Sequence, residues 1–200
     1  MIVFLLLVAK NSYAQEGVEQ YCYVGSDGTF TWVPMIHFIG KENWYTEARY
    51  NYEEMNTGSL YTGKMFLNEG KKLSYSVTPM VGVVIGKFKG GSAGLNLTLD
   101  YNDFFFSSQS QYTFSVKDKE ANFLFSWVEA GYQPRPWIYV GLSIQHTYYG
   151  QLNTGLFEQG VVVGLSIGKL TFPFYGFNPL SDSRYFVLGI NMDIVNKDMN

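Results

Sequence analysis

The stretch from Gly91 to Ser115, GSAGLNLTLDYNDFFFSSQSQYTFS, determines the fold that the rest of the chain repeats. Before the turn at Asn102–Asp103, leucines alternate with Asn, Thr and Asp, and after the turn the same period of two resumes. A period of two is the pattern of a β-strand with two different faces. The polar faces carry Asn, Gln, Asp and Ser instead of the Lys and Glu of a water-exposed sheet. This pattern is typical of consecutive strands in a transmembrane β-barrel.

The composition supports the same class of protein. Charged residues make up 16% of the chain, below the roughly 25% of soluble domains, and aromatic residues make up 18%. The mean hydropathy is close to zero, as expected when lipid-facing and lumen-facing residues alternate. No apolar run approaches the roughly 18 residues of a membrane helix. The net charge of -3 and the scattered Lys and Arg residues argue against a nucleic-acid partner.

Alternating segments recur along almost the whole chain and are joined by short connections, none long enough to fold deep into a barrel. The sequence predicts an all-β fold, a closed antiparallel up-and-down transmembrane β-barrel of about twelve strands. We expect an even number such as twelve because bacterial single-chain barrels normally have one. The alternatives are about ten strands, if 169–177 or 18–25 is only loop, and a soluble β-sandwich. The predicted strands are 18–25, 29–39, 44–53, 59–68, 74–88, 93–101, 104–116, 120–133, 136–148, 157–168, 169–177 and 185–194.

The first 14 residues predict an export signal. The apolar run MIVFLLLVA (1–9) is too short to span a bilayer, and Ser12-Tyr13-Ala14 is a small-x-small cleavage pattern. We therefore expect cleavage after Ala14 and a barrel domain over residues 15–200. The single cysteine, Cys22, excludes an intrachain disulfide and is interpreted as an incidental thiol.

Residues on the polar face of each predicted strand are expected to line the lumen. A base that faces lipid at mid-membrane costs roughly 2–4 kcal/mol and an acid somewhat less, so charged residues are assigned inward. Two interpretations of these charges stay open: a structural network in which opposite charges satisfy one another, or the lining of a selective pore. The predicted lumen residues are His37, Glu47, Arg49, Asn51, Lys64, Asn96, Asp100, Gln109, Gln111, Glu129, Gln145, Asn191 and Asp193.

Aromatic residues collect at the predicted strand ends. Membrane barrels carry two aromatic girdles where the strands meet the two lipid interfaces. The predicted girdle residues are Trp32, Trp44, Tyr101, Trp137, Tyr148 and Tyr149.

The sequence offers little support for catalysis. The histidines are His37 and His146, and no G-x-S-x-G elbow occurs. Two separated histidines and one cysteine give no metal-ligand pair, so neither a metal nor another cofactor is expected. A membrane-embedded lipid hydrolase using one of the histidines remains an alternative function.

Four segments carry a resemblance to known proteins: WVPMIHF (32–38), WYTEARYNYE (44–53), FFFSSQSQYTFSV (104–116) and RYFVLGIN (184–191). With them the chain resembles the small outer-membrane β-barrels of Gram-negative bacteria, in particular exported barrel proteins of the Bacteroidetes. The resemblance implies an outer-membrane location and attaches no activity to any residue.

These observations predict a narrow, porin-like channel or a structural barrel with a polar, mixed-charge lumen. The expected partners are outer-membrane lipid and either a small solute or an envelope protein. A non-conducting barrel subunit of an envelope complex is a further alternative.

Overall fold

The computed structural model describes residues 15–195, which form one continuous antiparallel sheet. Short 3-10 turns at Lys41–Asn43 and Lys119–Ala121 interrupt the connections. The predicted export signal lies outside the described residues. The strand segments are β1 (Gln15–Gly25), β2 (Phe30–Ile39), β3 (Trp44–Tyr50), β4 (Thr57–Lys64), β5 (Phe66–Glu69), β6 (Leu73–Gly86), β7 (Gly90–Tyr101), β8 (Phe104–Ser115), β9 (Phe123–Arg135), β10 (Ile138–Tyr149), β11 (Thr154–Ile167), β12 (Leu170–Phe177) and β13 (Tyr185–Val195).

Within residues 15–195, no helix has the length and apolar character needed to cross a membrane.

The sheet closes into a barrel because β1 pairs with both β2 and β13 along its length. The thirteen segments make twelve strands, because β4 and β5 pair with the same edge of β6. The register is continuous, with Gly63 opposite Met80 and Phe66 opposite Val77. They are one strand interrupted at Met65. Nearby Pro79 has no N–H for the ladder, which accounts for an interruption at this point.

The predicted closed barrel of twelve strands is confirmed. The segment 18–25 is a strand, β1, and 169–177 contains β12, so the ten-strand alternative is wrong. The soluble sandwich is also wrong, because a single sheet closes on itself where a sandwich would have two packed sheets.

The buried side chains of this barrel lie on its inner side. Tyr61 and Val187 have no exposed surface, whereas their neighbours Leu60 and Phe186 are about half exposed at 52% and 48%. The same alternation runs along the other strands, with exposed Leu, Val, Ile and Phe side chains on the outside. An exposed apolar belt around a sheet with a filled interior is the arrangement of a barrel in lipid.

The two ends of the barrel differ in their connections. At the end where β1 begins and β13 ends, here the turn end, several connections are tight, as at Asn102–Asp103 between β7 and β8. Asn102 has a φ of 53°, a left-handed conformation that asparagine tolerates better than most residues. At the opposite end, here the loop end, the longest connections are residues 51–56, 116–122 and 178–184.

The loop-end turn between β1 and β2 is fixed by a side chain. The Asp27 carboxylate accepts hydrogen bonds from the backbone N–H of Thr29 at 3.0 Å and from its hydroxyl at 2.7 Å. Both favour the charged carboxylate, so they hold the pKa of Asp27 below its usual value.

Candidate functional site: the barrel lumen

Most of the predicted lumen residues lie on the inner side of the barrel. Gln111, Gln145, Glu47 and Arg49 are buried there, whereas Asp100 and Asp193 lie inward but near the exposed turn end. The inward-facing members of the predicted set are His37, Glu47, Arg49, Asn96, Asp100, Gln109, Gln111, Glu129, Gln145, Asn191 and Asp193.

The inward assignment of Lys64 is wrong. On β4 the buried, inward residues are Thr57, Ser59 and Tyr61, so Lys64 shares the outer side with exposed Leu60. Its ammonium lies 5.4 Å from the centre of the exposed Trp44 ring. A lysine at a strand end can reach the interface while its chain covers apolar surface, and the ring adds a cation–π contact.

The assignment of Tyr149 changes, whereas Asn51 reaches the lumen from a loop. Asn51 is not on a strand: with a φ of 58° it follows β3, its amide donates to the Trp32 carbonyl at 3.0 Å, and it lines a loop-end cavity of about 340 Å³. Tyr149 is not in an outer girdle, because it lies on the inward side of β10 and packs on Phe123 with ring centres 5.9 Å apart. An aromatic residue at a strand end has no fixed side, since it suits both the interface and the filled lumen.

The other girdle residues lie outside, at the two ends. Trp44, Tyr101 and Trp137 are exposed near the turn end, and Trp32 and Tyr148 near the loop end.

Arg49 is the centre of a buried polar network, and its side chain is 1% exposed. It donates through Nε to Glu47 and through Nη1 to Gln111 at 2.5 Å, and it is 3.7 Å from the carboxylate of Glu53. Its guanidinium carbon lies 4.4 Å from the ring centre of Tyr52 and 4.5 Å from that of Tyr61. Buried arginine requires this degree of pairing, because an uncompensated charge in the interior is costly.

The connection between β3 and β4 folds into the lumen, although the sequence predicted that no loop could. The Tyr52 hydroxyl donates to Gln109 at 2.9 Å, and Tyr61 donates to Glu53 at 2.9 Å. The side chain of Glu53 has no exposed surface. We call residues 51–56 the inserted loop. Six residues suffice because the loop starts beside the lumen wall and only its Tyr and Glu side chains need to reach inward.

Aromatic and aliphatic side chains fill the middle of the lumen. Tyr21, Trp127 and Tyr175 are tilted against one another, with the ring centre of Trp127 5.2 Å from Tyr21 and 5.3 Å from Tyr175. The Trp127 indole donates to the Ser143 hydroxyl at 2.8 Å. Val33, Met35, Val162, Phe177 and Val187 complete this central plug. Glu129 faces the lumen together with Phe125 and Trp127, as its place on the strand requires.

Cavities lie on both sides of the central plug. The turn-side chamber, about 200 Å³, is lined by Glu19, Glu129, Asn191 and the plug aromatics. Two cavities of about 540 and 340 Å³ open at the loop end; Tyr23 and Gln145 line both of them.

Charges of both signs face the lumen, but acids are in excess. Arg49 is paired with Glu47 and Glu53. The carboxylates of Glu19 and Glu129 line the turn-side chamber, and Glu158 lines a loop-end cavity that also contains Arg184. With Lys64 outside, the described lumen wall is acidic on balance.

Glu19, Glu53 and Glu158 were not identified from the sequence. Glu19 lies on the same side of β1 as Tyr21 and Tyr23, so its inward side could have been inferred once that segment was accepted as a strand. Glu53 continues the inward series of Glu47 and Arg49 in the predicted strand 44–53, but it reaches the lumen from the inserted loop, where the period of two no longer applies.

The histidines lie apart. The His37 imidazole is 3.6 Å from Glu19 and stacks on Tyr45, whereas His146 faces outward and contacts the rings of Tyr148 and Phe157. Among residues 15–195, no three His, Cys, Asp or Glu side chains are placed to hold a metal ion.

No protein-family model matches the sequence, and no curated protein matches it. Solved structures do match. A KdgM porin aligns with a TM-score of 0.62 and 7% identity over 90% of this chain and 99% of that chain. A KdgM porin in complex with disordered oligogalacturonate aligns with a TM-score of 0.63 and 9% identity over the same shares. The chain also matches OccAB4 of Acinetobacter baumannii, with a TM-score of 0.52 and 10% identity over 92% of this chain and 63% of that one. The chain therefore has the fold of the outer-membrane porins of Gram-negative bacteria.

Proposed function

We propose that the protein is a narrow, porin-like channel in the outer membrane of Gram-negative bacteria that prefers cations to anions. The observation that carries the proposal is a closed barrel with an apolar exterior and an inner wall with more carboxylates than bases. The apolar belt would face outer-membrane lipid, the proposed partner of that surface, and carboxylates along the path would raise the local concentration of cations. The turn end, where β1 begins and β13 ends, would face the periplasm.

The central plug and the inserted loop make the proposed path narrow. Twelve strands leave a wider bore than the eight that side chains alone can fill, yet Tyr21, Trp127 and Tyr175 occupy its middle. We therefore expect a small conductance. The same filling supports the second candidate, a structural barrel whose lumen is sealed, alone or as a subunit with an envelope protein.

The acidic excess also bears on the solute. One structurally similar porin was solved with oligogalacturonate, a polyanion. Glu19, Glu129 and Glu158 would repel a polyanion, so we expect this chain to exclude such a solute.

Planar-bilayer recording of the detergent-folded protein, with a boiled sample as control, tests the proposal. We expect discrete current steps and, in a KCl gradient, a reversal potential that favours K⁺. Glu129→Gln should weaken that preference, whereas the matched change Glu120→Gln, in an exposed loop-end turn, should not. Silence from demonstrably inserted protein would favour the sealed barrel, and an anion preference would contradict the reasoning.

The hydrolase alternative receives no support from the contacts of His37 and His146. In the described part of the chain, neither imidazole lies within hydrogen-bonding distance of a serine hydroxyl. Lipid hydrolysis that disappears in His37→Ala or His146→Ala with the barrel intact would revive it.

We also propose that the protein belongs among exported barrels of the Bacteroidetes. What supports this is the string resemblance of 32–38, 44–53, 104–116 and 184–191, which lie mostly on β2, β3, β8 and β13. A survey of Bacteroidetes genomes in which barrels lack these four segments would contradict it.

A further inference from the structure

The turn-side chamber is acidic and lies next to the central plug. The carboxylates of Glu19 and Glu129 line it, and neither Lys nor Arg is among the residues that line it. The imidazole of His37 lies beside Glu19, with its Nδ1 3.6 Å from the carboxylate. Two carboxylates that face one enclosed chamber without a lysine or arginine repel each other, and a bound cation would relieve that repulsion.

Two polar groups of the chamber wall, the Tyr21 hydroxyl and the Asn191 amide, are hydrogen-bonded to each other. The Tyr21 hydroxyl donates to Glu19 at 2.8 Å and accepts from the Asn191 amide nitrogen at 3.2 Å, so both of its functions are used. The amide oxygen of Asn191 is buried and has no hydrogen-bond partner among the described residues. A buried acceptor without a partner is destabilising, and a ligand that donates an N–H to it would remove that cost.

Aromatic rings form one wall of the chamber. Tyr21, Trp127 and Tyr175 line it and are tilted by 56–63° to one another, so their planes are not stacked. The faces of Trp and Tyr rings attract cations through the ring quadrupole. Aromatic rings beside carboxylates favour an organic ammonium ion over a neutral molecule of the same shape.

We propose that the turn-side chamber binds a small primary ammonium ion, held by Glu19, Glu129 and the Asn191 amide oxygen against the rings of Tyr21, Trp127 and Tyr175. The volume of about 200 Å³ fits an amine with a short alkyl chain and is smaller than the roughly 300–1,000 Å³ of drug-sized pockets. The inference rests on the proposed channel, of which the chamber would be the solute-binding site.

Tryptophan fluorescence provides the readout. The chain has four tryptophans. Trp32, Trp44 and Trp137 are 42%, 55% and 56% exposed, whereas Trp127 is 6% exposed. Replacing those three with Phe leaves Trp127 as the reporter. We expect propylammonium chloride to change its emission saturably, beyond a KCl control of equal ionic strength. The neutral isostere propan-1-ol and the N–H-free tetramethylammonium ion should bind at least tenfold more weakly.

Charge-removing variants locate the site. Glu129→Gln and Glu19→Gln should each raise the half-saturating concentration of propylammonium at least tenfold, and Glu120→Gln should leave it unchanged. An equal response to propan-1-ol, no response to propylammonium beyond KCl, or unchanged half-saturation in both variants would overturn the proposal. The first two outcomes need no chamber variant, so they decide the matter even if the variants fail to fold.

Bilayer recordings separate this inference from the proposed function. A cation-preferring channel whose currents and fluorescence ignore propylammonium would contradict the binding site alone. Saturable binding to an inserted but silent barrel would contradict the channel and leave the binding site standing.

Discussion

Replacing Arg49 should destabilise the barrel far more than replacing an exposed lysine. Arg49 is 1% exposed and is the cation beside Glu47 and Glu53, whose side chains are 2% and 0% exposed. In Arg49→Met both carboxylates stay buried without it, and removing one partner of a buried ion pair costs about 3–5 kcal/mol. Lys87→Met is the matched control, since the bridge from Lys87 to Glu54 is exposed at 65% and 41% and is worth about 0–1 kcal/mol.

The free energy of unfolding is measured by urea titration of each variant in the same lipid vesicles, followed by tryptophan emission. We expect the midpoint of Arg49→Met to fall strongly and that of Lys87→Met to stay near the parent. Adding Glu47→Gln to Arg49→Met should recover part of the loss, about 0.5–3 kcal/mol of coupling. If Arg49→Met costs no more than Lys87→Met, the buried network does not hold the lumen together. Arg49→Lys, which keeps the charge, serves if the methionine variant does not fold.

Two further predictions concern the lumen wall and the outer belt. In Gly164→Ala the new Cβ would lie 1.9 Å from Tyr139 Cε1, so the ring must shift into the filled lumen. We expect the free energy of unfolding to fall by about 1–3 kcal/mol. Gly150→Ala, whose Cβ would meet nothing nearer than 3.8 Å, should change the unfolding midpoint little, and equal midpoints would contradict the packing. Brominated lipids should quench single-tryptophan variants that retain Trp44 or Trp137, which are 55% and 56% exposed, but hardly one that retains Trp127. Strong quenching of Trp127 would place β9 the wrong way round.

The strand pattern could be predicted because a period of two survives along most strands. On β8, Gln109 and Gln111 alternate with Ser110 and Tyr112, and the first pair lies inward as the pattern indicates. Glu129 could be placed because the cost of a lipid-facing carboxylate outweighed the awkward inward position of Trp127. In both cases a single energetic preference decides whether the residue faces lipid or the lumen.

Where a side chain suits both lipid and a filled lumen, the sequence pattern can give the wrong side. On β4, Tyr61 suits either lipid or a filled lumen, so the pattern places the polar Lys64 inward and reverses the two sides of the strand. The energy that reverses it is collective: Tyr61 packs on Tyr45 and Met80, residues of two other strands. The inserted loop was missed for the same reason, because its partners Gln109 and Gln111 lie on β8, far along the chain.

The ladder between β1 and β13 has a consequence for how the molecule forms. It pairs Gln15 with Val195 and Gly25 with Tyr185, so closure joins the most distant described segments of the chain. Contacts of such sequence separation cost loop-closure entropy before they return any stability and make folding slow. A sheet that lacks this ladder has two free edges, and hydrocarbon offers nothing to their N–H and C=O groups. Insertion and closure must therefore be coupled, and a half-built barrel has no stable place in the bilayer.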